Sequence, residues 1–343
     1  MPTEEDGENK TEVKAVSKPV DITLRLTILV LLAVQNAAHA LMSRYSKGIL
    51  REKYSSTEVV LVGEVIKFFV AGFFSMNDNA ETDAVGVGFA KLSWLLLNSK
   101  RIILLVILYS LANLLTYYAL ARVEASVYSV LMQLKILTTA AFAVLILGRN
   151  ISSTKWRALF LLVLSCILVA SPAFNSPVSC NSKEKNPTAV SMMEYIGGVM
   201  SILVMVLTSG YSSIYFEQML KMTGERLTIW ERNFQLAFYS VLLLTAMTVY
   251  ASVTAENEAE GFLKGWTINA WIIACIGATG GLLVAATLKY ADAILKSLAT
   301  SASIVLSTYL GFLLLGGPLD VFVTIGAIST ILAIFNYTLD TST

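Results

Sequence analysis

The stretch VYSVLMQLKILTTAAFAVLILG, residues 127–148, sets one lysine, Lys135, near the middle of an otherwise apolar run. At 1.5 Å per residue the run is long enough to cross a hydrocarbon core about 30 Å thick, so it predicts a membrane-spanning helix. An ammonium at the centre of such a helix costs roughly 2.5–3.5 kcal/mol on insertion scales, and residues of this kind face a bundle interior, a water-filled cavity or a ligand. Lys135 therefore points to an anion. Lys296 lies in a second apolar stretch. Glu64 and Lys67 lie in a third, GEVIKFFVAG, one helical turn apart and so on one face.

Composition supports the membrane reading over the whole chain. Of 343 residues 56% are hydrophobic and only 14% charged, and apolar stretches recur at 22–42, 57–75, 92–120 (its first part interfacial), 125–148, 156–172, 194–218, 233–253, 268–290, 294–315 and 319–338. The fold class expected is an all-α integral membrane protein with ten transmembrane helices. A net charge of +1 implies no nucleic-acid partner. The three cysteines, Cys166, Cys180 and Cys275, are odd in number and read as core residues, without a disulfide framework or metal site. His39, the single histidine, excludes histidine-cluster chemistry and reads as a packing residue. No catalytic residue, metal or cofactor is expected. An enzyme would want an acidic metal-binding pair or a catalytic histidine at a membrane face.

Organisation follows from polar segments. Residues 1–20 mix acids and bases with no apolar core and read as a disordered tail, not a cleaved signal. Basic residues favour the side shared by this tail and the even-numbered connections (Lys100, Arg101, Arg149, Lys155, Arg157, Lys221), which places both termini in the cytosol. The Pro-, Asn- and Ser-rich connection SPAFNSPVSCNSKEKNPT divides five segments from five. The domains expected are a first five-helix half at 21–172, a connection at 173–193, a second half at 194–338 and a short tail at 339–343. A repeat supports two inverted halves: Leu120-x-x-x-Glu124-Ala125 opens the fourth segment, and Leu288-x-x-x-Asp292-Ala293 precedes the ninth. In that register Lys296 matches Tyr128. A second register sets LKILTT against LKSLAT and pairs the two lysines directly.

Residues three, four and seven apart share a helix face. Glu124, Tyr128, Met132, Lys135 and Thr139 form one stripe; Asp292, Lys296, Thr300, Ser303 and Ser307 form another, strongly polar for a membrane segment. The third segment offers Tyr109 and Asn113, and the seventh opens on Arg232-Asn233. Together these supply what a phosphate-bearing ligand with a planar base requires: lysines for phosphate charge, hydroxyls and amides for hydrogen bonds, aromatic rings for stacking. The ordinary alternative for the serines and tyrosines is helix packing and interfacial anchoring. Gly277-Ala-Thr-Gly280-Gly281 and Gly197-Gly198 read as sites of close helix approach.

QLKILTTA (133–140), GEVIKF around Glu64, SGYSSIYFEQMLK (209–221), ERNFQL (231–236) and GGLLVAATLKYADAILKSLATSASIVLST (280–308) resemble the Golgi nucleotide-sugar transporters of the drug/metabolite transporter superfamily. The resemblance covers roughly residues 25–338. It implies exchange of a cytosolic nucleotide sugar for a luminal nucleoside monophosphate in the Golgi or endoplasmic reticulum membrane, with Lys135 and Lys296 on phosphate. Glu64, Lys67, Tyr109, Asn113, Tyr128 and Asn233 would surround the nucleotide. The endings LATSASIVLST and QLKILTTA look like the UDP-galactose and UDP-N-acetylglucosamine branch. CMP-sialic acid with CMP, or a non-nucleotide metabolite exported by the same superfamily, are the alternatives. Ala112-Asn113-Leu114 and Val127-Tyr128-Ser129 depart from the family's usual Q-N-N and T-[YF]-Q. The partners implied are the two nucleotides and the lipid bilayer, with a homodimer or glycosyltransferase complexes open.

Overall fold

The structure is a computed structural model that describes residues 21–78, 82–170, 192–221, 227–254, 261–317 and 319–340. The expected tail at 1–20 and nearly all of the inter-half connection, including Cys180, lie outside them. The described residues form α1 (Ile22–Ser43, prolonged by a π turn over Arg44–Ile49), α2 (Ser56–Asn77), α3 (Phe89–Leu97), α4 (Lys100–Leu120), α5 (Ala125–Gln133) and α6 (Lys135–Leu147). There follow α7 (Ser153–Val169), α8 (Met192–Lys221), α9 (Ile229–Thr254), α10 (Ile268–Tyr290), α11 (Ala293–Leu315) and α12 (Val321–Leu339), and no strand is present among the described residues.

Among the described residues, nine helical stretches are long and apolar enough to cross a membrane, α5 and α6 together making one of them. α7, with 17 residues, is about 25 Å long. It packs along α12: a Cβ added at Gly326 would come within 2.9 Å of Ser165 O and of Leu168, while the Ser152 hydroxyl that opens α7 bonds Asp340 at the end of α12. Large apolar side chains face outward along the bundle, among them Phe69, Leu145, Leu164 and Leu314, as a lipid-solvated surface requires. The protein is an all-α, multi-pass membrane protein.

The helices start and stop where the chain supplies caps. Asp21, Ser152, Asp292 and Asp320 accept hydrogen bonds from backbone N–H groups of the first turns of α1, α7, α11 and α12 at 2.7–3.1 Å. Thr228 and Glu231 form a reciprocal capping box at α9. Gly148 (φ +63°) ends α6 and Gly316 (φ +62°) ends α11 in the left-handed conformation that glycine tolerates. The segment opened by Glu124 and closed by Gly148 thus matches, residue for residue in length, the one opened by Asp292 and closed by Gly316.

Packing is reciprocal between halves. α1 lies against α10 and α11, and α8 against α4, α5 and α6; α2 packs on α9, and α7 on α12. The glycines mark close crossings. A Cβ at Gly280 would meet Gln35 at 2.4 Å, one at Gly198 would meet Val123 at 2.5 Å, and one at Gly210 would come within 2.7 Å of Thr138 Oγ1. Ile22 and Asp340 line one crevice, so the described chain begins and ends at the same face of the bundle.

Candidate functional site

The fourth spanning segment is broken just before its lysine. α5 closes at Leu134, whose N–H reaches back only three residues to Leu131 O (3.1 Å), and α6 starts at Lys135. Thr138 and Thr139 hydroxyls both donate to the Lys135 carbonyl, at 3.1 and 2.7 Å, occupying an acceptor at the break. Lys135 is half-buried and faces Cys166 of α7. Lys296, one turn into α11, donates to Ser213 Oγ of α8 at 2.7 Å, and its charge lies within electrostatic reach of Lys135. The two ammonium groups therefore share one region between α6, α8 and α11. Neither makes an ion pair with a carboxylate among the described residues. A pair of neighbouring cations in an apolar bundle is unfavourable until an anion joins them.

The second group lies across the bundle on α2, α4 and α9. Lys67 Nζ is 2.6 Å from the Glu64 carboxylate, as their spacing predicts, and Lys67 is buried over α10, where a Cβ at Gly281 would sit 3.3 Å from its Nζ. Glu64 lines a crevice of about 250 Å³ with Tyr109, Ser110, Asn113 and Ser240 among its polar walls and Val60, Val106, Leu243 and Leu244 among its apolar ones. Ligand sites for drug-sized molecules commonly run about 300–1,000 Å³. This crevice suits a nucleoside moiety and not a whole nucleotide sugar. A larger cleft of about 680 Å³ between α2, α9 and α10 is walled by Leu61, Val62, Val65, Ile66, Phe262 and Trp271 and has no charged lining. It cannot recognise phosphate.

The remaining candidates sit apart from these groups. Tyr128 packs with Val123, Ile202 and Met205, its hydroxyl 3.9 Å from the Met205 sulfur. Asn233 is fully buried near the start of α9 and donates to Ile229 O at 2.9 Å. Ser303 is buried and donates to Thr300 O at 2.6 Å. Ser213, Ser110 and Ser240 were not singled out by the sequence reading. Of these, Ser213 carried a signal, since it lies in the SGYSSIYFEQMLK stretch.

At the face bearing Asp21 and Asp340 a third group of charges is fully paired. Glu217 of α8, with no exposed surface, is bonded by the Arg149 guanidinium, by Lys221 at 2.7 Å and by the Ala293 N–H at 2.9 Å. Asp292 meets Arg25 at 3.3 Å and Arg149 at 3.9 Å. Outside the spans at the other face, the Ser46 hydroxyl bonds Glu52 and holds its carboxyl below the ordinary range, while Asn269 donates to the same group at 2.9 Å.

Lys135 and Lys296 thus lie near one another inside the bundle, with Glu217 also within electrostatic reach of Lys296. The family profile described as Nucleotide-sugar transporter matches residues 20–338. The chain belongs to the nucleotide-sugar transporter family. It is a transporter and not an enzyme. The UDP-N-acetylglucosamine/UDP-N-acetylgalactosamine transporter nstp-4 of Caenorhabditis elegans is 34% identical, the match covering 92% of this transporter and 93% of the relative. The UDP-N-acetylglucosamine transporter of Rattus norvegicus is also 34% identical, over 92% and 96% of the two chains. The UDP-galactose translocator of Mus musculus is 33% identical, over 92% and 78%. A solved crystal structure overlays with a TM-score of 0.64 at 13% identity, covering 92% of the transporter and 97% of that chain, which shows a shared fold.

Proposed function

We propose that the transporter is an antiporter that carries a UDP-sugar, UDP-N-acetylglucosamine or UDP-galactose, into the Golgi lumen in exchange for UMP. The observation that carries this reading is the pair Lys135 and Lys296, brought together without a carboxylate partner. Glu64 and Lys67 neutralise one another at 2.6 Å, so the uncompensated charge is that of the two lysines. A diphosphate ester or a largely dianionic monophosphate would balance it. An empty site would have to reorganise in the membrane with two unbalanced cations, which favours exchange over return without cargo. The relatives that carry UDP-N-acetylglucosamine and UDP-galactose support uridine as the base. In this reading Lys135, Lys296 and Ser213 hold phosphate, and Glu64, Tyr109, Ser110, Asn113 and Ser240 surround the nucleoside. Tyr128, Asn233 and Ser303 support the walls.

α7 supplies the tenth crossing in this reading. Ends on one face require an even number, and α7 runs the length of α12. Ten crossings make two halves of five, 21–172 and 194–338, related by an inverted repeat. The matching caps of α5–α6 and α11 and the reciprocal contacts of α1 and α8 support that relation, and they favour the register in which Lys296 answers Tyr128 and Lys135 answers Ser303. Rocking of one half on the other would expose the lysines to each side in turn.

Purified protein in liposomes preloaded with UMP takes up labelled UDP-sugar faster than protein in liposomes preloaded with CMP. UMP also raises the melting temperature more than CMP, since a ligand that binds the folded state stabilises it according to its occupancy. Equal or stronger effects of CMP, with uptake of CMP-sialic acid, would overturn the uridine assignment.

A further inference from the structure

The lattice around Glu217 ties elements of both halves together. Arg25 on α1 and Arg149 after α6 come from one half; Glu217 and Lys221 on α8 and Asp292 at the start of α11 come from the other. It lies one helical turn from the Lys296–Ser213 contact, because Asp292 and Lys296 are four residues apart on α11, as are Ser213 and Glu217 on α8. Along both helices the lattice lies between Lys296 and this face. The crevice at Glu64 runs instead toward Val60, Asn113 and Leu244, on the side of the other face.

The matching caps transfer this lattice onto the opposite mouth. Glu124 holds the N-cap position of α5 as Asp292 holds that of α11, only the Asp292 side chain making a capping bond, and Gly317 follows Gly316 as Arg149 follows Gly148. Arg149 lies against Glu217 near the end of α8. Gly317 lies against Arg44 at the end of α1, where a Cβ on the glycine would come within 3.0 Å of the guanidinium. Arg44 therefore occupies the counterpart of Glu217, and Glu124 the counterpart of Asp292. One is a cation and the other a carboxylate, both exposed at their helix ends. Two states that interconvert must be close in free energy, and breaking the lattice uncovers a buried carboxylate and two guanidinium groups. A pair formed at the far mouth offsets part of that cost.

We propose that Arg44 and Glu124 form the ion pair that closes the opposite mouth in the alternate state, made as the Arg149–Glu217 and Arg25–Asp292 pairs part; its role in transport rests on the antiport reading above. In UMP-loaded liposomes, Arg44→Glu and Glu124→Arg each slow UDP-sugar uptake several-fold, and the doubly exchanged variant recovers most of the rate. Single variants that match the parent, or a double variant with no recovery, overturn the pairing. A second measurement needs no nucleotide. Arg44→Cys and Glu124→Cys are combined in full-length protein with Cys166, Cys180 and Cys275 replaced by alanine, and a short bis-maleimide links them. Adding Arg25→Gln and Arg149→Gln, both at partly exposed sites, raises the cross-linking yield; should that combination not fold, Arg25→Gln alone raises it by less. An unchanged yield overturns the gate and leaves the transport reading intact. A raised yield in a protein without nucleotide exchange does the reverse.

Discussion

At the scale of residues, Lys135 and Lys296 test the site most directly. Glutamine keeps most of the side-chain length and its hydrogen-bonding capacity while removing the charge. A lost charge-assisted contact of roughly 1.5–3 kcal/mol weakens nucleotide binding about 10- to 150-fold. Lys135→Gln and Lys296→Gln therefore lower UMP affinity by that factor while the melting temperature without ligand holds or rises, because each variant relieves repulsion between neighbouring cations. Titration calorimetry and a thermal melt read the two effects separately; unchanged affinity would move the phosphate site elsewhere. These lysines were legible in the sequence because a cation in an apolar run is costly to insert unless an anion or a wet cavity receives it. So was the Glu64–Lys67 pair, from its spacing. Ser110 and Ser240 were not, and Ser213 only through the stretch that holds it. A serine in an apolar helix usually bonds its own backbone, and Ser110 and Ser213 do so too, to Val106 O at 2.6 Å and Ser209 O at 3.0 Å, so nothing in their identity sets them apart from Ser201, Ser212 and Ser297.

At the scale of elements, the apolar runs located the helices closely: 268–290 coincides with Ile268–Tyr290, and 22–42 with all but the last residue of Ile22–Ser43. Hydropathy reports burial in lipid and is blind to breaks in the backbone ladder. The expected helix at 125–148 is two helices, and no proline or glycine marks the break at Leu134; the interruption is a single three-residue turn, after which the Thr138 N–H again bonds Leu134 O at 3.0 Å. The expected segment at 92–120 likewise separates into α3 and α4, its first part lying apart from the span as expected. The carbonyls of Leu95 and Leu96 at the end of α3 are bonded by Gln235 at 2.7 Å and Tyr239 at 2.9 Å, both from α9. Gly210 decides how closely α8 approaches α6. Alanine there gains about 0.5–1 kcal/mol in helix propensity, but its Cβ would stand 2.7 Å from Thr138 Oγ1 and 3.1 Å from the Thr138 backbone carbon. Backbone cannot rotate away, and overpacking of this kind costs typically about 1–3 kcal/mol. Gly210→Ala lowers the melting temperature, and pairing it with Thr138→Ala, which removes the hydroxyl but not the backbone contact, restores only part of the loss. An unchanged melt would show that α8 and α6 are free to separate at this crossing.

At the scale of the whole molecule, the two ends of the described chain share a face because Ser152 and Asp340 meet and Ile22 lines the same crevice as Asp340. That face also holds Arg25, Arg149, Lys155 and Lys221, and cytosolic connections carry an excess of lysine and arginine. The opposite face gathers Glu52, Glu58 and Trp266, with Trp266 Nε1 donating to Glu58 at 3.0 Å, and it carries the basic residues Arg44, Lys47, Arg51 and Lys53 as well, so the bias between faces is one of degree. Orientation thus rests on charge, while the sharing of a face rests on packing, and the two are separable by experiment. Epitope tags at Met1 and at Thr343 are both reached by antibody when only the plasma membrane of the cell is permeabilised. Both tags protected until internal membranes are opened would reverse the orientation and leave the fold standing. One tag reached and the other protected would require an odd number of crossings. In that case α7 would not span, and the pairing of α7 with α12 along their length would have to be abandoned together with the two-half architecture.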